Sequence, residues 1–245
     1  MRWMLYLMVL AITASVPARA EPLLADLSES ELKITTGFTG AKVLLFGSIE
    51  GDGEIVIIVR GPSQTVSVRH KEQVAGLIYV NKRAVQFKDA PSYYHIMTSA
   101  PLDDWLPQHT RQLFQIGVEH LKLPTVERVG PVVVANFRNA LIRNMQRIGR
   151  YGDTAGQVQF MGGQLFRADL YLPANVLTGF YNIDVLLVRD GDVKAIQSTP
   201  LLIDKAGLGA QVYDLAYGYP ALYGIAAIII AILAGLGANA IFRNV

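Results

Sequence analysis

The sequence predicts a mainly β protein: an immunoglobulin-like β-sandwich with an inserted α-helical hairpin, followed by one C-terminal transmembrane helix. Short apolar or alternating runs separated by turn residues extend from Leu32 to Thr98 and resume from Gln157 to Ile203, which is the pattern of a sandwich. Two helical patterns interrupt these runs between Asp103 and Arg150. The run from Ala221 to Ile241 carries no charge, as a membrane span requires.

Residues 1–20 have the features of a secretory signal peptide. A positive start at Met1-Arg2 precedes an apolar stretch, and Ala18-Arg19-Ala20 supplies a small-residue cleavage site. An N-terminal membrane anchor is the competing interpretation, but the uncharged run is only sixteen residues long and contains Pro17, which is short for a span. We therefore expect the mature chain to begin at Glu21.

Turn residues divide the β regions into separate strands. Gly51-Asp52-Gly53, Gly61-Pro62-Ser63 and Asp89-Ala90-Pro91 are suited to tight turns. The run from Ile55 to Val59 is apolar on both faces, so it should be a central, fully covered strand. The strands expected are 32–35, 42–49, 54–60, 65–69, 77–80, 85–88, 93–98, 157–160, 165–172, 181–189, 193–197 and 199–203.

The section at about 103–150 predicts two helices that pair as a hairpin against the sheets. Asp103 or Asp104 can cap the first helix, and Pro124 lies beyond its end. The second helix should begin near Pro131, because proline suits the first turn. The positions expected to face the core are Leu113, Ile116, Gly117, His120 and Leu121 on the first helix, and Val134, Phe137, Leu141, Met145 and Ile148 on the second.

The run Leu177-Thr178-Gly179-Phe180-Tyr181 leads into a strand that alternates between apolar and polar residues. This pattern resembles the tyrosine corner of immunoglobulin-like sandwiches, in which the Tyr hydroxyl binds upstream backbone. The last strands then complete a sandwich begun by the first half of the chain. Two smaller β units joined by helices remain the alternative.

The C-terminal run is long enough for a membrane helix, since about 1.5 Å of rise per residue carries 21 residues across a hydrocarbon layer of about 30 Å. Tyr213, Tyr217, Tyr219 and Tyr223 precede it like an interfacial aromatic belt. Arg243 on the cytoplasmic side agrees with the positive-inside tendency.

The expected organisation has five parts. It consists of a signal peptide at 1–20, a periplasmic domain at 21–204, a linker at 205–218, a transmembrane helix at 219–242 and a cytoplasmic tail at 243–245. This organisation predicts a single-pass protein of the bacterial cytoplasmic (inner) membrane, with its N-terminal domain in the periplasm.

Charge and cysteine content limit the partners. From Glu21 to Gly218 there are 19 Lys and Arg against 20 Asp and Glu, so the net charge of +2 for the whole chain becomes −1 for this part. The basic isoelectric point is thus no argument for nucleic acid. Without cysteine, the chain has neither disulfides nor a thiol to carry a lipid.

No catalytic motif and no cofactor-binding motif stands out. The G-x-S-x-G elbow is missing, and the G-x-G fragments lack the strand and helix context of a phosphate loop. His109 and His120 lie eleven residues apart on a predicted helix, too far to share a metal ion. His95 and Met97 could form a soft copper pair on one strand face, but two ligands are weak support. We therefore assign no catalytic, cofactor or metal residue.

Arg143, Arg147 and Arg150 form one stripe of the second predicted helix. Such a stripe suits an oxyanion, anionic lipid head groups or an acidic partner surface; a solvated helix face is the simpler interpretation. Arg138 lies near the apolar side, where it needs a carboxylate partner or a route to solvent.

Ala227, Ala231, Gly235 and Asn239 recur every four residues on one face of the C-terminal helix. Small residues allow close approach of a second helix, and an amide can form a hydrogen bond across the interface. We expect this face to contact an integral membrane partner or a second copy of the chain, within the lipid bilayer.

The signal peptide, the β-rich exported domain that includes 177–187 and the single C-terminal span together resemble the alphaproteobacterial putative transmembrane protein family. The resemblance covers essentially the whole chain and implies a cytoplasmic-membrane location with a periplasmic domain. Association of its members with permeases of the sulfite-exporter type implies an accessory role. The resemblance supplies no site residues.

We expect a membrane-anchored periplasmic binding or accessory protein that assists an integral membrane transporter or envelope complex. The alternative is an envelope enzyme or metallochaperone whose site is not recognisable from sequence. The absence of a catalytic motif favours the first hypothesis without deciding between them.

Overall fold

A computed structural model describes residues 22–35, 37–74, 78–206 and 216–242, without the side chains of 70–74, 78–83 and 237–242. The strands are β1 Leu23–Leu27, β2 Glu31–Ile34, β3 Gly40–Ile49, β4 Glu54–Arg60, β5 Ser63–Val74, β6 Ile78–Pro91, β7 Tyr94–Thr98, β8 Gly156–Met161, β9 Leu165–Pro173, β10 Gly179–Arg189 and β11 Asp192–Lys205. The helices are α1 Leu102–Trp105, α2 Gln108–Phe114, α3 Pro131–Arg147 and α4 Pro220–Phe242, with a 3₁₀ turn at Val118–His120.

The described residues form a mainly β protein, as predicted. Nine of their strands make one curled sheet in the order β1-β3-β9-β8-β7-β4-β10-β11-β2. The first half of the sheet consists of four strands that pair antiparallel: β1, β3, β9 and β8. The second half contains β7, β4, β10, β11 and β2, and its β7 strand pairs parallel with β8 to join the halves.

The two halves enclose the main apolar core. Leu45 and Phe166 of the first half and Ile57 and Val185 of the second are each no more than 1% exposed and belong to one cluster. The β4 strand lies between β7 and β10, and its residues 55–59 are all buried. The prediction of a central strand covered on both faces is therefore confirmed.

A side-chain amide connects β1, one edge of the curled sheet, to the part of β11 that does not pair with β2. Gln197 on β11 accepts a hydrogen bond from the backbone N–H of Ala25 through Oε1 and donates one to the carbonyl of Ala25 through Nε2, each at 2.7 Å. One amide side chain thus satisfies the donor and the acceptor that a neighbouring strand would satisfy. This contact holds β1 against β11 where no backbone ladder connects them.

A second apolar core lies on the outer face of the second half. Val56 of β4 and Leu186 of β10 pack there with Phe87 of the β5–β6 hairpin, Ile116 of the loop after α2 and Leu141 of α3. We call the β5–β6 hairpin together with α1, α2 and α3 the covering layer. It gives β4 and β10 apolar neighbours on both faces.

The covering layer differs from the predicted α-helical hairpin. The first helical half consists of α1, α2 and a 3₁₀ turn, because Gln115 takes a left-handed conformation with φ of 55° and ends α2. The carbonyl of Gln115 accepts a hydrogen bond from the Tyr94 hydroxyl at 2.6 Å, and that hydroxyl accepts one from the Gly117 N–H at 2.9 Å. This turn allows Ile116 to be fully buried while Leu113 stays 67% exposed. A continuous helix would have placed both residues on one face.

The hydrogen bond predicted for the Tyr181 corner is present. The buried Tyr181 hydroxyl donates to the carbonyl of Leu177 at 2.8 Å, just before β10. Burial raises the pKa of Tyr181, so the phenol remains a protonated donor at neutral pH. Its ring packs 5.9 Å from the ring of Tyr93, whose hydroxyl donates to the carbonyl of Tyr171 at 2.7 Å.

Candidate functional site

Two of the three predicted arginines lie on an exposed helix face. Arg143 and Arg147 belong to α3 and are exposed, while Leu141 and Met145 of the same helix are buried. Arg150 follows the end of α3, and its Nε and Nη2 donate to the carbonyl of Asn175 at 3.1 and 2.8 Å. The structure thus leaves Arg143 and Arg147 facing outward and uses Arg150 to hold the loop before β10.

Arg138, which lies near the apolar side of α3 and needs polar partners there, finds them in backbone carbonyls and not in a carboxylate. Its Nη2 donates to the carbonyls of Val118, Glu119 and Leu121 at 3.3, 2.5 and 3.2 Å. The two hydrogens of Nη2 serve three carbonyls of the tight turn, so at least one hydrogen is shared between two acceptors. Arg138 therefore connects α3 to the 3₁₀ turn.

A cavity of about 330 Å³ has three charged residues in its lining, Arg60, Asp89 and Lys122. Arg60 Nη1 lies 2.5 Å from Asp184 Oδ2, and Nη2 donates to the carbonyl of Phe114 at 2.8 Å. Because these partners already neutralise and bind the guanidinium, Arg60 anchors α2 to the sheet and is a poor receptor for an anion.

His95 and Met97 both approach Gly156, as their shared strand face predicts. A Cβ built on Gly156 would lie 3.2 Å from His95 Nε2 and 3.5 Å from Met97 Sδ, and one on Gly152 would overlap the His95 ring. Met97 is 1% exposed and belongs to the main core, while burial lowers the pKa of His95. Within the described residues, no three His, Cys, Asp or Glu side chains are close enough to hold a metal ion together.

A larger groove, of about 630 Å³, lies beside the amide of Gln197. Its wall includes Leu24, Phe46, Met161 and Leu165, which are 42 to 61% exposed. Asp26 is the one titratable residue among those that line it. The groove is therefore a mainly apolar surface with a single carboxylate in its lining.

The C-terminal helix α4 presents large apolar side chains that the rest of the described chain leaves uncovered. Eight of them are 50 to 67% exposed: Leu222, Ile225, Ile228, Ile229, Ile230, Ile232, Leu233 and Leu236. Ala227 and Ala231 are exposed as well, and a Cβ on Gly235 would meet no atom within 4 Å. These three small residues are thus accessible, whereas the side chain of Asn239 lies outside the described residues.

Among the residues that the structure describes, no helix combines the length and the apolar character that crossing a membrane requires.

The comparisons identify the family. The family model described as Putative transmembrane protein (Alph_Pro_TM) matches residues 22–244, nearly the whole chain. The chain belongs to this family. The name of the Alph_Pro_TM family indicates a membrane protein, and the match includes the curled sheet, the covering layer and α4. A comparison with curated proteins finds no match.

Sequence reasoning did not find two residues that organise this member of the Alph_Pro_TM family. Gln197 joins β1 to β11, and Tyr94 holds the turn after α2. Gln197 carried no signal because its partner lies 172 positions away in sequence. Tyr94 could have been noticed as a polar aromatic residue in a predicted strand, since a hydroxyl that becomes buried needs a partner.

Proposed function

We propose that this protein is a single-pass, membrane-anchored periplasmic binding or accessory protein that assists an integral membrane transporter or envelope complex. The observation that carries the proposal is the uncovered apolar surface of α4. Fully burying a large aliphatic side chain contributes about 1.5 to 3 kcal/mol, so eight such side chains that are 50 to 67% exposed favour an apolar environment by about 7 to 14 kcal/mol in total. The family's name supports a membrane as that environment.

A topology experiment tests the anchor and its orientation. The chain contains no cysteine, so Asp192→Cys and Asn244→Cys each introduce a unique thiol. We expect the protein to stay in the membrane pellet at alkaline pH. A membrane-impermeant maleimide should label Asp192→Cys in spheroplasts, and Asn244→Cys only after the inner membrane is opened. Extraction at alkaline pH, or labelling of both sites in intact spheroplasts, would contradict the proposal.

We also infer that the sandwich is immunoglobulin-like. Equating β1, β3, β9 and β8 with strands A, B, E and D, and β7, β4, β10 and β11 with C′, C, F and G, reproduces the order of an immunoglobulin domain. The Tyr181 hydrogen bond at the start of the F-like strand supports the same assignment. The covering layer then consists of an insertion between C and C′ and another between C′ and D.

The proposed partner contact is the face of α4 that carries Ala227, Ala231 and Gly235. Replacing Ala231 and Gly235 by Leu adds bulk where helices would approach closely. Ala226→Leu with Ala240→Leu adds similar bulk on the far side of the helix, each about 160° from the mean direction of Ala231 and Gly235, and is the matched control. We expect a multispan protein that co-purifies in detergent to be lost with the first pair and retained with the second. Equal retention with both pairs would contradict docking through this face.

The second candidate, a metallochaperone, is favoured by the proximity of His95 Nε2 and Met97 Sδ to the same glycine. Thioether and imidazole ligands together suit monovalent copper. The measurement is the copper content of the purified parent protein, of His95→Ala and of His109→Ala. Copper present in the parent and in His109→Ala but lost in His95→Ala would favour this candidate. Equal copper content in all three proteins would exclude His95 as a ligand.

A further inference from the structure

The β5–β6 hairpin brings five basic residues together in adjacent register positions. Arg69 pairs with Ala84, His70 with Arg83, and Lys71 with Asn81. A register shift between His70 and Lys71 places Lys82 at the same level of the hairpin. Four permanent cations and one histidine therefore lie within three successive rows of the hairpin.

The rows beyond this basic band become progressively apolar. Glu72 pairs with Val80, Gln73 with Tyr79, and Val74 with Ile78; the turn itself, residues 75–77, lies outside the described residues. The hairpin thus changes along its length from basic to apolar, with Glu72 as the one acid in the strands between. A bilayer has charged head groups at its surface and acyl chains beneath them. A hairpin that approaches with its apolar end first would therefore place its basic rows at the level of the head groups.

Basic and acidic residues are also distributed unequally between the covering layer and the rest of the molecule. Residues 63–150 carry twelve Lys and Arg against six Asp and Glu, whereas 21–62 and 151–218 together carry seven against fourteen. The covering layer is therefore basic and the sandwich acidic, although the sum is close to zero. The α3 helix contacts β5, so the exposed Arg143 and Arg147 belong to the same basic layer as the hairpin.

We propose that the β5–β6 hairpin is a second membrane contact, which binds the surface of an anionic lipid bilayer. Charge complementarity provides the attraction: the basic band around Lys71 and Arg83 meets anionic head groups, and Tyr79 and Ile78 lie beyond it at the depth of the interface. An acidic protein surface would match the basic band but not the apolar rows that follow. The contact adds to the proposed function and does not depend on a partner protein.

Depth-dependent quenching in the full-length protein tests this contact. Tyr79→Cys introduces a unique thiol for an environment-sensitive fluorophore, and lipids with a spin label near the head group serve as quenchers. Asp192→Cys is the matched control, because it lies at the end of β11 opposite the linker. In vesicles that contain phosphatidylglycerol, we expect the label at position 79 to be quenched about threefold or more relative to that at 192, and less in phosphatidylcholine alone.

Charge reversal separates the hairpin contact from the anchor. Combining Lys71→Glu, Lys82→Glu and Arg83→Glu should abolish the quenching at position 79, while flotation with vesicles through α4 is unchanged. Equal quenching at 79 and 192, or quenching that survives charge reversal, would overturn the hairpin proposal. Failure to float with phosphatidylcholine vesicles would overturn the anchor instead, and the quenching in anionic vesicles would still report on the hairpin.

Discussion

Tyr181 fixes the entry to β10 through one buried hydrogen bond to the carbonyl of Leu177. In Tyr181→Phe the packing of the ring is kept, but the carbonyl loses its donor. Such a loss costs about 1 to 3 kcal/mol. We expect a lower midpoint of denaturant unfolding in detergent with an unchanged slope. Tyr171→Phe is the control, because Tyr171 is 58% exposed, and an equal shift in the two variants would contradict this role for the corner.

His95 makes stability depend on pH near neutrality. Burial lowers the pKa of its imidazole below the ordinary 6.5, so the unfolded chain takes up a proton at a higher pH than the folded chain does. The contribution of His95 to the unfolding free energy is complete above about pH 6.5 and is lost as the pH falls through the folded-state pKa.

The replacement His95→Gln removes that titration. We expect its unfolding free energy to fall less steeply than that of the parent protein as the pH is lowered from 7 to about 5. His109→Gln keeps His95 and serves as the control. Parallel stability profiles of the parent and His95→Gln would show that this imidazole does not contribute to the acid response.

Single residues also show where sequence reasoning ends. The hydroxyl of Tyr181 was predictable, because its carbonyl partner lies four residues away and the local pattern is recognisable. The Gln197 amide was not, since its role depends on which distant strand lies opposite. For Arg138 the sequence established the need for a partner but not that three carbonyls would fill it.

The α3 helix carries both an arginine that binds backbone carbonyls, Arg138, and arginines that face solvent, such as Arg143. Arg138→Gln should lower the unfolding temperature, because the carbonyls of the 3₁₀ turn lose their donor; we expect a cost of about 1 to 3 kcal/mol. Arg143→Gln changes an exposed side chain and should stay within about 0.5 kcal/mol of the parent. Thermal unfolding of both variants checks this difference, and equal unfolding temperatures would contradict it.

Element boundaries were predictable where the local pattern decides them. The β4 strand begins and ends as expected because turn residues flank a run that is apolar on both faces. β1 was missed, and three short predicted strands became the two long strands of the β5–β6 hairpin. The predicted break in β11 is absent, because pairing with β10 continues through Pro200. In each case tertiary pairing supplied the hydrogen bonds that local preference did not indicate.

At the scale of the whole molecule, Gln197 determines how the curled sheet closes. Gln197→Glu keeps the shape but removes the Nε2–H donor and places a carboxylate beside the carbonyl of Ala25. We expect faster amide hydrogen exchange along β1 and a loss of about 1 to 3 kcal/mol. Gln157→Glu introduces the same charge at an exposed position and is the control. Unchanged exchange along β1 would show that core packing alone holds β1 against β11.

The mainly β character was predictable at this scale because the alternation of the strands and the turn residues between them extend through most of the chain. The covering layer was predicted only as a pair of helices, since nothing local indicated that Gln115 would leave the helix or that the β5–β6 hairpin would join the same layer. The separation of charge between layers becomes visible only once the topology assigns residues to them.

Pro200 has a consequence for neighbouring copies of this protein. The N–H of Leu202 donates to the carbonyl of Ser30, just before β2. The backbone position two residues earlier on β11 points to the same side, and Pro200 has no N–H to offer there. On β1, the N–H and the carbonyl of Ala25 are already bound by Gln197. Neither β1 nor β11 therefore presents a continuous row of free backbone groups to another strand. These two positions therefore interrupt the backbone groups that a strand of a neighbouring molecule would need for edge-to-edge pairing.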